Sequence, residues 1–477
     1  QRAREHEPTV GTHVRRGFWK ACSMAEGQLI REGEKAAARK KISLWLIALI
    51  GLILVVRTFL YFTYEPLFFG DSASYLRLAE AIKGIGERGY DGTRVPGYPL
   101  FLALLNMEPG RIWIAQMVLG LLISLLLYWA VLKLTGDQRF GFALGALYSL
   151  IPGQLLFEAA LLTETLTTFC IVASIACLVG LKFSNSLGRS MLLAVLLGIS
   201  ASAAGLTRPL FFPITLLFLP FVWGVTGGTR RKRIAATGLY ALMPLVMQGG
   251  WLLYMWSHWH VVSPTAMAGY SMVQHAGSYF EYLPDRYAAI RDTYIQYRDA
   301  QIALRGVQTN AIWEAIPAIS DASGLGFYDL SREMGRLSWL LIRDHPRLYL
   351  RDVLSGWIAF WKAPLYWQAE LVHPAVARTI LQVLALVGRG VSIIANFGFL
   401  ILSAAVLFVP RIRHGLVRRP VVLASASMVW LISVVQTLLD HGDNPRFLVP
   451  LQMIVFFVVI IVLGNLIRSE EVVAYAE

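Results

Sequence analysis

Two carboxylates and three arginines flank the long apolar runs of this 477-residue chain, and these side chains are suited to acid–base and anion chemistry. Asp71 lies in FFGDSASYLRLAEAI, Arg94 in TRVPGYPLF, Glu164 in LLTETLTTF, Arg208 in LTRPLFFP and Arg446 in DNPRFLVP. A carboxylate held at a helix start can act as a general base. Guanidinium groups bind phosphate and other oxyanions. Together these residues are candidates for one reactive site.

Each candidate also has a structural interpretation. Asp is a favoured N-cap residue, so Asp71 can simply cap a helix. Glu164, in a first helical turn, can complement the helix dipole. A single arginine at the membrane interface often extends its side chain into the headgroup region. Three arginines on one side of the membrane, beside two carboxylates, favour the functional interpretation.

Four further residues are supporting candidates. Tyr75 lies on the apolar face of a short helix that can lie flat on the membrane. Arg57, inside the first apolar run, either pairs with an acid or extends to the interface. Glu158 precedes Glu164 by six residues, about 120° away around a helix, so the two need not act together. Asp443 lies three residues before Arg446.

The sequence indicates no cofactor. Asp440, His441 and Asp443 could bind a metal, but no matching set of ligands occurs elsewhere, so no metal site is predicted. Walker, GxGxxG, HExxH and GxSxG motifs are absent. A requirement for a divalent cation stays open.

The composition indicates that membrane-spanning helices position these side chains. Apolar residues make up 56% of the chain and charged residues 15%, and several apolar runs reach the thickness of a bilayer core. The sequence therefore predicts an all-α polytopic membrane protein with about ten transmembrane helices. The predicted spans are residues 43–64, 111–134, 139–156, 163–181, 190–206, 209–226, 234–257, 379–409, 420–439 and 447–467.

The net charge of +13 does not indicate nucleic-acid binding, because the basic residues cluster in short segments beside the apolar runs. Such clusters, at residues 35–41, 230–233 and 411–419, mark the cytoplasmic face. Residues 258–376 instead carry 10 Lys and Arg against 11 Asp and Glu, as expected outside. Residues 353–367 are interpreted as an interfacial helix. We expect a multi-pass protein of the inner (plasma) membrane.

Four regions follow from this topology. Residues 1–42 are predicted to be a cytoplasmic tail, and residues 43–257 an N-terminal transmembrane module with a catalytic outer loop at 65–110. Residues 258–378 are predicted to form a small, mainly helical extracytoplasmic cap. Residues 379–477 contain the C-terminal transmembrane helices.

The five motifs around the principal candidates resemble, in their order along the chain, landmarks of the GT-C glycosyltransferases. A further matching stretch, IRDHPRLYLRDVLSGWIAFW, lies between the motif of Arg208 and that of Arg446. The likeness covers most of residues 43–467 and is to the bacterial branch related to protein O-mannosyltransferases and the aminoarabinose transferase of lipid A. It implies transfer of a sugar from a polyprenyl-phosphate donor to a lipid, glycan or protein acceptor. The transfer would occur on the extracytoplasmic side, with inversion.

The resemblance also implies residue roles. Asp71 matches the general base that deprotonates the acceptor hydroxyl, and Glu164 a second acid that orients the acceptor or the sugar. Arg94, Arg208 and Arg446 match basic residues near the donor phosphate. No second acid adjoins Asp71, and the WWDYG signature of oligosaccharyltransferases is absent. Metal-dependent transfer of whole glycans to asparagine is therefore less expected.

A multi-pass transporter or a lipid-linked glycan flippase is the alternative function. Transporters tend to place ionisable residues near the bilayer midplane, on broken helices, and to have two related halves. In this sequence the candidate residues lie at the outer boundary and the two halves look unlike. The pattern favours the transferase.

Overall fold

The computed structural model of the chain describes residues 43–85, 89–363, 365–439 and 445–474. The chain divides into two compact units, Gln1–Ile50 and Gly51–Glu477. Of the first unit, residues 43–50 are described, and they begin the first long helix. The predicted cytoplasmic tail, residues 1–42, lies outside the described residues.

The described residues are mainly helical, and extended backbone pairs among them only at the isolated bridge between Leu67 and Ala160. The prediction of an all-α protein is confirmed. In chain order the α-helices are Leu44–Thr63 (α1), Gly70–Ile82 (α2), Gly97–Leu104 (α3), Pro109–Thr135 (α4), Gln138–Leu150 (α5), Pro152–Leu155 (α6), Glu164–Lys182 (α7), Leu187–Thr207 (α8), Ile214–Val225 (α9), Arg230–Trp259 (α10), Ala268–Ala276 (α11), Ala288–Arg305 (α12), Ala311–Ser323 (α13), Phe327–Asp344 (α14), Pro346–Phe360 (α15), Ala375–Phe408 (α16), Pro410–Val417 (α17), Pro420–Leu439 (α18) and Val449–Ala474 (α19).

Seven helices in the described part of the chain are long and apolar enough to cross a membrane. They are α1, α4, α7, α8, α16, α18 and the helical stretch Arg446–Gly464. The helix pair Gln138–Leu150 and Pro152–Glu158, bent by 65°, makes an eighth span if it crosses as one unit. The chain is thus a multi-pass membrane protein.

Two of the ten predicted spans do not meet these criteria. Residues 209–226 fold as the apolar helical stretch Pro209–Val225, which is too short. Residues 234–257 lie within α10, which is 30 residues long but is not among the sufficiently apolar helices. The interfacial segment 353–367 contains the end of α15, a helix of 15 residues. The total of ten spans stays a prediction.

The spans differ in how much of their surface the protein covers. Most of α7 and of Arg446–Gly464 is buried, whereas only about a fifth of α1 and of α16 is buried. A helix that is apolar on all sides belongs in the interior of a bundle. Both buried helices begin at a candidate residue, Glu164 or Arg446, so these side chains enter the protein interior.

The outer segment, residues 258–378, has an apolar core of its own. Tyr287, Ile290, Tyr294 and Tyr297 recur at helical spacing. Tyr287 is the N-cap of α12 and the other three lie in this helix, where Ile290 and Tyr294 are buried. Buried side chains of α11, α13 and α14 pack around them. The described residues of this segment are mainly helical, and its position outside the membrane stays a prediction.

We expect Gly269→Ala to destabilise the outer segment by about 1–3 kcal/mol, because a Cβ at this position would overlap the Ser331 carbonyl on α14. Thermal unfolding of the purified protein in detergent measures the loss. Gly326→Ala is the control, since a Cβ there meets nothing within 4 Å. Equal unfolding temperatures for the two variants would contradict this prediction.

Candidate active site

Asp71 lies in the first turn of α2, and the N-cap of this helix is Phe69. The interpretation of Asp71 as a helix cap is therefore wrong. The Ser72 hydroxyl accepts a hydrogen bond from the Phe69 N–H at 3.0 Å and donates one to the Leu161 carbonyl at 2.9 Å. These bonds hold the start of α2 against the segment that precedes α7.

Both oxygens of the Asp71 carboxylate accept hydrogen bonds from arginines. Arg94 Nη2 donates to Oδ1 at 2.8 Å, and Arg446 Nη2 donates to Oδ2 at 2.8 Å. Burial raises the pKa of Asp71, but the charges of Arg94 and Arg446 outweigh burial and lower that pKa to about 2. The carboxylate is therefore ionised at neutral pH, with neither oxygen free.

Glu164 is the first residue of α7 and is 1% exposed. Arg208 Nη1 donates a hydrogen bond to its Oε1 at 3.1 Å, and Arg446 Nε lies 2.9 Å from the same oxygen. The other oxygen, Oε2, is buried without a hydrogen-bond partner in the described part of the chain. Arg446 thus bridges Asp71 and Glu164, and all five principal candidates form one connected cluster.

Aromatic rings support two of the arginines. The Arg94 guanidinium lies 5.3 Å from the centre of the Tyr75 ring, and the Arg208 guanidinium 4.9 Å from the centre of the Phe447 ring. Both rings can hold a cation by its attraction to their π faces. Tyr75, one of the predicted supporting residues, is buried and lies within the cluster.

The loop that carries Arg94 is held by the outer segment. The Tyr328 hydroxyl donates to the Asp91 carbonyl at 2.9 Å, and the Ala266 N–H donates to the Gly92 carbonyl at 2.9 Å. Gly92 has a φ of +67°, and a Cβ there would come within 2.9 Å of the Trp259 ring. Glycine is therefore needed at this position, and the outer segment helps to place Arg94.

A cavity of about 420 Å³ lies beside the cluster, with Arg94, Arg208 and Arg446 in its wall. The wall therefore contains three guanidinium groups. Hydroxyl groups, apolar side chains and one amide complete it. They belong to Tyr75, Thr93, Val95, Thr163, Thr207, Pro209, Leu210, Phe212, Pro213, Ser263, Pro264, Thr265, Met267, Ala268, Ser271, Trp313, Val435, Gln436, Leu439 and Phe447.

Arg57 and Glu158 form a second, separate ion pair. Arg57 Nη2 donates to Glu158 Oε1 at 2.6 Å, Nη1 donates to Ser149 Oγ at 3.0 Å, and Nε donates to the Met117 carbonyl at 3.1 Å. Both side chains are buried. This resolves the two alternatives for Arg57 in favour of pairing with an acid. Neither residue is among those that line the cavity.

The Arg57–Glu158 pair is nonetheless connected to the cluster of Asp71 and Glu164 through the backbone of residues 158–161. Gln116 Nε2 donates to the carbonyls of Glu158 and Ala160 at 2.9 Å each. The Leu161 N–H then donates to the Leu67 carbonyl at 2.9 Å. The segment held in this way also accepts the Ser72 bond and leads directly into Glu164, so it positions both carboxylates.

One predicted supporting residue is not among the residues that the structure describes. Asp443, predicted as a supporting residue, lies outside the described residues together with Asp440 and His441. Among the described residues, no group of three or more His, Cys, Asp and Glu side chains could hold a metal ion.

Sequence reasoning missed Gln116, Gln436 and Phe447. Phe447 directly follows Arg446, and its aromatic type was the available signal. Gln116 and Gln436 are single amides within apolar helices, and their roles depend on contacts with residues distant in the sequence. No local pattern could have identified them.

Fold and site together define a multi-pass membrane protein with an arginine-lined cavity at converging helix ends. No protein-family model and no curated protein match the chain. Among solved structures, it is similar to the oligosaccharyltransferase AglB from Archaeoglobus fulgidus, in complex with an inhibitory peptide and a dolichol-phosphate. The TM-score is 0.47, the identity 14%, and the match covers 92% of this chain and 52% of that chain.

The chain is also similar to ArnT from Cupriavidus metallidurans. The apo structure matches with a TM-score of 0.35 and 13% identity, covering 83% of this chain and 77% of that one. The structure bound to undecaprenyl phosphate matches with a TM-score of 0.33 and 15% identity, covering 84% of this chain and 78% of that one. The chain spans about half the length of the AglB chain. At these scores and identities the comparisons do not establish the family of the chain.

We expect Arg57→Met to lower the free energy of unfolding by about 3–5 kcal/mol, because it leaves the Glu158 carboxylate buried without its cation. The double variant Arg57→Met/Glu158→Met should recover much of the loss, since it removes both charges. Thermal unfolding in detergent compares the two. A double variant less stable than the single one would show that the charge pair itself is not what matters.

Proposed function

We propose that this protein is a membrane glycosyltransferase that moves a sugar from a polyprenyl-phosphate donor to the hydroxyl of an acceptor, with inversion at the anomeric carbon. The observation that supports it most is the cluster of Asp71, Glu164 and three arginines beside one cavity. The charge bias of the loops supports a position of this site on the extracytoplasmic side of the inner membrane. The sequence motifs that resemble GT-C enzymes contain these residues.

The donor phosphate would bind to the arginines in the cavity wall. When the bond from the anomeric carbon to the phosphate oxygen breaks, its electron pair stays on the phosphate. Guanidinium groups stabilise this developing charge, typically by a few kcal/mol in a site that excludes water. Arg94, Arg208 and Arg446 all line the cavity, so none has to cross the protein to reach the phosphate.

The prenyl chain would lie along the apolar part of the same wall. Leu210 and Phe212 contribute to this wall from the chain between α8 and α9, and Val435 and Leu439 from the end of α18. Leu439 and its neighbour Leu438 are largely exposed apolar side chains on a predicted span. A headgroup at the arginines and a chain along α18 fit a single amphipathic ligand.

Asp71 is the base in this proposal. The acceptor oxygen attacks the anomeric carbon, its proton passes to an Asp71 oxygen, and the lipid phosphate leaves. Without donor, both Asp71 oxygens are hydrogen-bonded to arginines. A bound phosphate would compete for Arg94 and Arg446 and release an oxygen, so donor binding would prepare the base for the acceptor.

The other predicted residues would have supporting roles. Glu164 does not line the cavity itself, but it holds Arg208 and Arg446 in the cavity wall and would orient the acceptor or the sugar through them. Tyr75 supports Arg94 through the contact of its ring with the guanidinium. Arg57 and Glu158 fix the segment before α7.

We expect Asp71→Asn to reduce turnover by about 100-fold or more, the usual contribution of general acid–base catalysis. Donor affinity should hold or increase, because the variant removes a negative charge that competes with phosphate for Arg94 and Arg446. Transfer from a panel of polyprenyl-phosphate sugars by purified protein gives both values.

Glu108→Gln is the matched control, since its carboxylate pairs with Arg111 at a half-exposed position away from the cavity. Wild-type turnover by the Asp71 variant would exclude Asp71 as the base. Translocation of lipid-linked sugar without any transfer would instead favour the flippase.

As the pH is lowered, kcat should fall at a higher pH than kcat/KM does. The quantity kcat/KM reports the free enzyme, in which arginines lower the pKa of Asp71 to about 2, so the basic form is lost only as the pH falls through that value. In the donor complex, phosphate draws these cations away and the pKa rises. Initial rates measured across a range of pH give both profiles. If kcat and kcat/KM fell at the same acidic pH, the prediction would be contradicted.

A further inference from the structure

Gln436 is a buried amide with an unmade hydrogen bond. It lies near the end of α18, is 2% exposed and lines the cavity. Its Nε2 has no hydrogen-bond partner within the part of the chain that the structure describes. A buried donor that has lost its water and gained no acceptor is costly, and such groups are rare in native proteins.

Other glutamines buried in the helices do find acceptors. Gln116 donates to the Glu158 and Ala160 carbonyls, Gln154 to the Val449 carbonyl at 3.1 Å, and Gln452 to Asn396 Oδ1 at 2.9 Å. The fold can therefore provide hydrogen-bond acceptors for amides buried among its helices. Among the described buried glutamines, Gln248 and Gln436 each keep an unpartnered Nε2. Of these two only Gln436 lines the cavity, where a ligand can supply the missing acceptor.

The surroundings of Gln436 restrict what the ligand must offer. Its neighbours on the wall, Val435 and Leu439, are apolar and suit a hydrocarbon chain, which has no acceptor. Arg446 lies in the same wall and attracts an anion. The missing partner is therefore an oxygen of a ligand headgroup, either on the phosphate or on the attached sugar.

We infer that Gln436 binds the donor, through a hydrogen bond from its amide nitrogen to an oxygen of the sugar-phosphate headgroup. The inference rests on the proposed function, since it takes the ligand of the cavity to be a polyprenyl-phosphate sugar. Gln436 would then have opposite effects with and without ligand. It costs stability in the empty protein and contributes affinity in the complex.

Gln436→Met tests this, because methionine keeps the length of the side chain and removes the donor. We expect the unfolding temperature of the ligand-free variant to equal or exceed that of the wild type. Affinity for a polyprenyl-phosphate sugar should fall about fivefold to tenfold, the equivalent of one hydrogen bond. The rise in unfolding temperature on adding this donor should shrink accordingly.

Gln248→Met is the control. Gln248 is also a buried glutamine with an unpartnered Nε2, but it does not line the cavity. Its replacement should leave donor affinity unchanged. Donor affinity that is equal in Gln436→Met and the wild type, or reduced as much in Gln248→Met, would overturn the inference.

A second ligand, polyprenyl phosphate without sugar, shows which ligand oxygen accepts the hydrogen bond from Gln436. If Gln436→Met weakens both ligands, the bond goes to the phosphate, and if it weakens only the glycosylated one, the bond goes to the sugar. A wild-type protein that neither ligand stabilises would contradict the proposed function itself. A wild-type protein that both stabilise, with an unchanged Gln436 variant, would contradict only the inference.

Discussion

An alternating chain of charges links the elements of the site: Arg94, Asp71, Arg446, Glu164 and Arg208. Each carboxylate lies between two guanidinium groups, so every buried charge has an opposite neighbour, which burial requires. Three cations against two anions leave one positive charge uncompensated within the cluster. The cluster therefore has a net positive charge beside the cavity.

Helix ends carry this chain of charges. Asp71 and Glu164 lie in the first turns of α2 and α7, where the helix dipole favours a carboxylate. Arg208 immediately follows α8, and Arg446 begins the last span. Charges at helix ends avoid the hydrocarbon depth at which an ionised group is most costly. Long apolar helices can thus position a polar site without interrupting their own hydrogen bonds.

Much of this arrangement could be predicted from the sequence, because apolar runs and basic loops are local patterns. They indicated an all-α membrane protein, which the fold confirms, and one common side of the membrane for the five principal residues, which stays a prediction. The pairings could not be predicted. That Arg446 contacts both acids, and that Arg57 pairs with Glu158, depends on packing between distant segments. Local rules also misled at Asp71, where Phe69 takes the cap position.

The bonds from Tyr328 and Ala266 to the loop at residues 89–95 have a practical consequence for engineering. Outer segments are attractive modules to exchange when a new substrate preference is wanted. In this protein such an exchange would also remove the supports of the Arg94 loop. A chimaera designed with breakpoints only at residues 258 and 378 would therefore risk a misplaced arginine. The natural unit of exchange includes residues 89–95.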